Sequence, residues 1–149
     1  MKIQIKGHVI EVDDCDVALA TERGWLPSTT HGHVYFHRGR GKGHRYLHRI
    51  IADAKEGELA DHINRNTLDN RRCNLRTCTR SQSQMNTGIG VANKSGYKGV
   101  CWSTRDQRWR AVIKYQGHQF YLGVFIDKEL ARAAYIRAAR ELVGDFASE

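Results

Sequence analysis

The sequence predicts an α+β chain in two parts. A strand–loop–strand–helix unit sits behind a β-rich extension, and a three-stranded antiparallel sheet backed by one helix follows. Three observations predict this. Short apolar runs (Ile3 and Ile5, Val9 to Val12, Trp109 to Tyr115) alternate with the period of half-buried strands. The stretch from Asp61 to Asn86, DHINRNTLDNRRCNLRTCTRSQSQMN, sets a histidine beside a carboxylate, then adds asparagines and arginines that no hydrophobic core requires. A late segment, Leu130 to Leu142, is alanine-rich and apolar at helical spacing.

Taken in order, Ile3, Ile5, Val9, Ile10 and Val12 form a hairpin around Lys6-Gly7. Asp13, Asp14 and Asp16 precede a short helix through Val17, Leu19 and Ala20, where the helix dipole favours acids. The spacing and the glycine of an EF-hand loop are missing there. Trp25 and Leu26 are expected in the core. Val34-Tyr35-Phe36 and Arg45-Tyr46-Leu47 read as strands around the basic, glycine-rich turn Arg38 to Gly43. That turn lacks the lysine–serine/threonine end of a Walker loop and reads equally as a phosphate-contacting tip or a solvated turn. His31, His33, His37 and His44 fit no usual zinc spacing and read as surface residues.

Leu47 to Ala54 reads as a helix or its start, packing through Leu47, Ile50 and Ile51, with a structural His48, hydrogen-bonded near the site, favoured over a direct ligand. Leu59 to Ile63 is a strand, Asn64 to Asn70 a loop, and Asn74 to Thr79 a second strand. Thr79-Arg80-Ser81-Gln82 has the form of a capping box, which starts a helix at Arg80 and places Ser83 one turn in, towards the end of the first strand. Thr87 to Gly96, TGIGVANKSG, reads as a linker. The expected divisions are therefore 1–86, a linker at 87–96, and 97–147.

In the last part, Tyr97 to Trp102, Trp109 to Tyr115 and Phe120 to Phe125 are strands. Trp109, Ala111 and Ile113 share one face, and Arg110, Val112 and Lys114 the other. Trp109 is expected in the core; Trp102 reads either way. Asp127 caps a helix, with Ile126 and Ala131 as a hydrophobic staple. Leu130, Ala131, Ala134, Tyr135, Ala138 and Leu142 make its apolar stripe, and Gly144 ends it.

The chain has 149 residues and a formal charge of +8. Residues 94–149 hold ten basic against six acidic side chains, and those before them fourteen against ten, so both halves carry the excess. A polyanion is the partner this implies. No apolar run is long enough to span a membrane. The start, MKIQIKGHVI, has no signal-peptide core, which predicts a cytoplasmic protein. Cys15, Cys73, Cys78 and Cys101 form no CxxC pair, so no structural zinc is expected and all four are read as unpaired. Nothing in the pattern selects an oligomeric state.

Leu47-His48-Arg49-Ile50-Ile51, followed by Asp61 to Thr79, resembles the HNH endonuclease motif in its phage and intron-homing branch. The resemblance covers 47–86 and implies a ββα-metal fold, one divalent cation (Mg²⁺ first, Mn²⁺ or others as alternatives) and hydrolysis of phosphodiester bonds in double-stranded DNA. It makes His62 the general base and Asp61 a metal ligand, and it has Asn74 orient the loop and the histidine. The family's last motif position, usually Asn or His and a metal ligand, falls on Ser83. A phosphate-holding role goes to Arg71, Arg72, Arg76 and Arg80. Residues 95–147, with YKGV, RWRAVI and YLGVF, resemble the AP2 DNA-binding domain. That resemblance implies a sheet in the major groove, with Lys98, Arg110, Lys114 and Tyr121 on the DNA side. Cys101, Ser103 and Gln119 stand where the plant pattern has arginines, so the plant target sequence is not carried over. The reading is a metal-dependent DNA endonuclease. Its rival is a DNA-binding protein without cleavage, or a decayed nuclease, for which Ser83 is the evidence. An RNA-binding module is disfavoured, since no RNP-type aromatic platform is visible.

Overall fold

In a computed structural model of the chain, residues 1–147 are described. Several small antiparallel sheets and few helices divide into two compact units, Met1–Arg80 and Ser81–Glu149.

The first unit opens with β1 (Lys2–Ile5) and β2 (His8–Glu11), paired antiparallel with Ile3 opposite Ile10. Lys6 and Gly7 both take positive φ, +47° and +84°, as a tight type I′ turn demands. The short helix α1 (Val17–Thr21) follows. The acids before it make no side-chain cap on the helix. Asp13 and Asp16 reach the distant loop, as described below, and Asp14 lies 3.7 Å from the amino terminus. Strands β3 (Leu26–Thr30), β4 (His33–Arg38) and β5 (Arg45–Tyr46) form one sheet in that order. β3 was not expected, because LPSTT carries a proline and little apolar pattern; Pro27 is tolerated because β3 pairs only with β4 and is an edge strand. Leu26, expected in the core, is 52 % exposed at the start of that edge, while Trp25 is buried. Helix α2 (Leu47–Ile51) fills the first part of the expected stretch, and the chain turns at Asp53 with φ +51°.

Ile10, Val12, Ala20, Trp25, Phe36, Leu47, Ile51 and Leu75 form one buried cluster. It joins the hairpin, α1, the three-stranded sheet and α2 to the last two strands of the unit, β6 (Leu59–His62) and β7 (Leu75–Cys78).

Helix α3 (Arg80–Met85) begins where the sequence places it, at the last residue of the first unit, and the rest of it belongs to the second. Its last residue, Met85, is buried with Ile113, Tyr135, Ala139 and Val143. Residues 87–96 hold no helix or strand, yet their end is a built turn. Asn93 Oδ1 accepts from the backbone N–H groups of Ser95 and Gly96 at 2.9 and 3.1 Å, and buried Ser95 Oγ donates to Val100 O at 2.8 Å. Then β8 (Val100–Ser103), β9 (Arg108–Tyr115) and β10 (His118–Phe125) pair in the order β10-β9-β8. Helix α4 (Lys128–Val143) covers one face. Asp127 caps it, accepting from Glu129 N–H at 2.8 Å, and Gly144 ends it with φ +55°.

Two expectations about α4 are corrected. Ile126 is 78 % exposed and makes no staple with buried Ala131, and Leu130 is 58 % exposed. The rest of the expected stripe holds: Ala131, Ala134 and Tyr135 are buried, Ala138 and Leu142 pack against the core, and Ala139 and Val143 join them. Close approach sets this: Gly99 has φ +69°, and a Cβ there would lie 2.3 Å from the Tyr135 ring and 2.4 Å from Val112 O.

Candidate active site and nucleic-acid interface

β6 and β7 pair with Asp61 opposite Arg76 and His62 opposite Leu75. Side chains directly opposite in an antiparallel pair lie on one face, so the register alone puts carboxylate and guanidinium together. Arg76 Nε and Nη2 donate to Asp61 Oδ2 at 3.3 and 3.2 Å, with the two side chains 16 % and 12 % exposed. His62 is the next residue, and its side chain is buried.

The loop from Ile63 to Asn74 is held by its own asparagines. Asn74, 6 % exposed, accepts from Asn64 N–H at 2.9 Å and donates through Nδ2 to Asp69 O at 2.8 Å. Asn64 Nδ2 donates to Asp69 Oδ2 at 2.9 Å. Asn74 thus braces the loop. The residue bonded to the histidine is Asn70, whose Oδ1 lies 3.2 Å from His62 Nε2. Sequence reading had no role for Asn70, because its partner lies eight residues back across a folded loop.

The arginine run is divided among acids. Arg71 grips buried Asp69 through two bonds of 2.7 Å. Arg72 grips Asp16 through two more of 2.7 Å, and its N–H donates to Asp13 at 2.7 Å. These hydrogen bonds hold the Asp69 and Asp16 carboxyls below the usual carboxylate range. Glu11 on β2 brackets the same loop, its N–H on Leu68 O at 2.8 Å and its carbonyl on Asn70 N–H at 2.7 Å. Arg71, Arg72 and Arg76, expected to hold phosphates, thus pair with carboxylates of their own unit, and Arg80 is exposed at the start of α3.

Around the base lie aromatic rings. His48, buried, has its ring 5.2 Å from that of His62 and 5.5 Å from those of Tyr35 and Tyr46. Among the described residues, ring contacts take the place of the hydrogen bond expected of it. Burial, then the neighbouring His62 and Arg49, push His48 down to about 3. Burial also lowers His62 below its ordinary value, against the opposing pull of the Asn70 hydrogen bond and of the Asp61 and Asp69 carboxylates. At neutral pH His62 is therefore an uncharged imidazole.

The donor set bears on the metal. Among the described residues no group of three or more His, Cys, Asp or Glu is placed to hold an ion. A hard ion such as Mg²⁺ does not need one, because it keeps several waters and takes one or two carboxylates plus substrate phosphate oxygens. Asp61 is such a carboxylate, although the Arg76 guanidinium now lies against its Oδ2. The residues fit an ion of that kind. Ser83 lies in α3, half-buried, its carbonyl accepting from Asn86 N–H at 3.1 Å.

In the second unit, the register of β8, β9 and β10 gathers Cys101, Ser103, Arg108, Arg110, Val112, Lys114, Gln119 and Tyr121 on the face away from α4. Arg110 and Lys114 are exposed and Tyr121 is 62 % exposed, so three of the four expected residues share an open face. Arg108, missed in the sequence, joins them by the same alternation. Lys98 is used differently: its Nζ donates to Met85 O and Thr87 O at 2.6 and 2.9 Å, capping the end of α3. Trp102 is 46 % exposed and stacks edge-on against Trp109 at 5.2 Å. No helix among the described residues is long and apolar enough to cross a membrane.

A family model described as HNH endonuclease matches residues 45–85, and one described as AP2 domain matches residues 95–145. The chain is 34 % identical over 94 residues to "Protein 3.8" of Escherichia phage T7, a stretch covering 62 % of this chain and 75 % of that protein. It is 27 % identical over 117 residues to "Uncharacterized HNH endonuclease L560" of Acanthamoeba polyphaga mimivirus, covering 77 % of this chain and 60 % of that protein. No solved structure matches the chain.

Proposed function

Because this chain belongs to the HNH endonuclease family and carries an AP2 domain, we propose that it is a metal-dependent endonuclease acting on double-stranded DNA. The observation that carries the reading is His62, a buried imidazole kept neutral at the end of β6, one residue after the Asp61 carboxylate. A neutral histidine can take a proton from water at physiological pH. The water oxygen then bonds to phosphorus, the bond to the 3′ oxygen breaks, and the water proton rests on His62. A divalent ion, Mg²⁺ first and Mn²⁺ as the alternative, held by Asp61 in the ββα-metal arrangement that the resemblance implies, would stabilise the charge that gathers on the phosphate and the leaving oxygen; the family's further ligand position is Ser83. Asn74 keeps the loop closed beneath the base.

DNA affinity is assigned to the open face of the AP2 sheet, through Arg108, Arg110, Lys114 and Tyr121, with Arg80 adding charge. Arg71 and Arg72 serve this function indirectly, by holding the loop that carries the site residues. A second reading, DNA binding without cleavage, is favoured by one observation, the serine at the family's ligand position.

Plasmid nicking across a panel of metals tests the proposal. The wild type is expected to nick DNA with Mg²⁺ or Mn²⁺ and not with EDTA. His62→Ala is expected to abolish nicking while duplex affinity stays within about three-fold, since the base acts in the chemical step and adds little to ground-state binding. Cleavage retained by His62→Ala would remove His62 from the mechanism. A wild type inert in every metal would favour the second reading.

A further inference from the structure

Asn70 is 3 % exposed and bound on every side. Its backbone N–H donates to Glu11 O at 2.7 Å. Its Nδ2 donates to Thr67 O at 3.4 Å, and its Oδ1 faces His62 Nε2 at 3.2 Å. Turning the amide over would set its oxygen against the Thr67 carbonyl, two acceptors with no hydrogen between them. The amide oxygen therefore faces the ring, and an amide oxygen only accepts. The hydrogen in the bond must belong to His62 Nε2. A neutral imidazole carries a single N–H, so the basic lone pair is on Nδ1.

We infer that Asn70 is a positioning residue for the cleavage reaction, holding His62 as the Nε2–H tautomer so that Nδ1 is the atom that receives the proton of the attacking water. The inference rests on the nuclease reading above. It also gives the N-terminal hairpin a task. Glu11 clasps Leu68 and Asn70 on either side of Asp69, so β2 fixes the amide that fixes the base. In the reaction the water O–H bond breaks towards His62 Nδ1, the hydroxyl oxygen bonds to phosphorus, and the 3′ oxygen leaves and is protonated by solvent water.

The test is long-range ¹H–¹⁵N NMR on the full chain labelled with ¹⁵N-histidine, the His62 signals being assigned by their loss in His62→Ala. Wild type is expected to show a protonated Nε2 and an unprotonated Nδ1 at neutral pH. Asn70→Ala should give mixed tautomers and a kcat lower by about 10–100-fold, with KM nearly unchanged. A wild-type Nδ1–H tautomer overturns the inference without any variant having to fold, and so does an unchanged tautomer in Asn70→Ala. Because the spectrum needs no cleavage, the two readings fail separately. Nicking by a protein with the Nδ1–H tautomer rejects the role of Asn70 and leaves the nuclease. An Nε2–H tautomer in a protein that never nicks DNA rejects the nuclease, and the catalytic part of Asn70 with it.

Discussion

Asp61 and Arg76 face each other across β6 and β7, and the carboxylate assigned to a metal has a guanidinium within 3.2 Å. The pair is only slightly exposed, so removing one partner leaves a charge short of compensation. Arg76→Ala is expected to lower stability by about 1–3 kcal/mol. Added Mg²⁺ should recover more stability in the variant than in the wild type, because an ion that binds the folded state stabilises it. Thermal melts with and without Mg²⁺ read this directly. Equal Mg²⁺ effects on both proteins would take Asp61 out of the metal site.

Ser83 stands where the family resemblance expects an amide or imidazole ligand. Ser83→Asn is expected to raise apparent metal affinity by about ten-fold, at little cost to the helix because the two residues have similar helix propensity. A nicking titration in Mg²⁺ and in Mn²⁺ compares the two forms. Superimposable curves would show that position 83 does not contribute a ligand.

Arg110 and Lys114 lie exposed on the open face of the second sheet. Their joint replacement by glutamine is expected to leave the melting temperature unchanged and to weaken duplex binding. The slope of log affinity against log salt should become shallower by about two, roughly one per lost phosphate contact. A slope identical to that of the wild type would mean that this face does not meet the DNA backbone.

Gly99 lies against the Tyr135 ring with φ +69°. Gly99→Ala meets both a backbone conformation disfavoured for a side chain and an overlap with ring and carbonyl. The expected loss is about 2–5 kcal/mol, combining strain and overpacking. Urea unfolding measures it, and a loss below about 0.5 kcal/mol would contradict the packing described.

Acid should weaken the first unit before its carboxylates titrate. His48 is held down to about 3 when folded, from its ordinary 6.5. Above 6.5 both folded and unfolded chains keep it neutral. As pH falls below 6.5 the unfolded chain takes up a proton that the folded chain refuses, so stability declines until about 3. The full loss is on the order of 5 kcal/mol. His62 adds to it with the same sign. Urea midpoints at pH 7.5, 6 and 4.5 should fall steadily in the wild type and less in His48→Gln; parallel falls would assign the acid sensitivity elsewhere.

Much of this protein was determined by local sequence. The alternation of Trp109 to Tyr115, the Asp127 cap, the Gly144 stop, the Lys6-Gly7 turn and the start of α3 at Arg80 each depend on neighbours a few residues away, and all are where the pattern puts them. The residue spacing around Asp61, His62 and Asn74 likewise made the family legible. Tertiary structure decided which partner each polar group takes. Arg72 closes on Asp16 across 56 residues, and Lys98 turns from the sheet face to cap α3. Asn70, not Asn74, meets the histidine because Glu11 holds the loop from outside it. Leu26, Ile126 and Leu130 are apolar yet exposed, since the edge of a sheet and the outer side of a helix set their burial. Periodicity reports what a residue's own turn or strand allows. Ion pairs and amide bonds between distant segments form only when folding brings them within about 3 Å, and no spacing in the chain records that meeting.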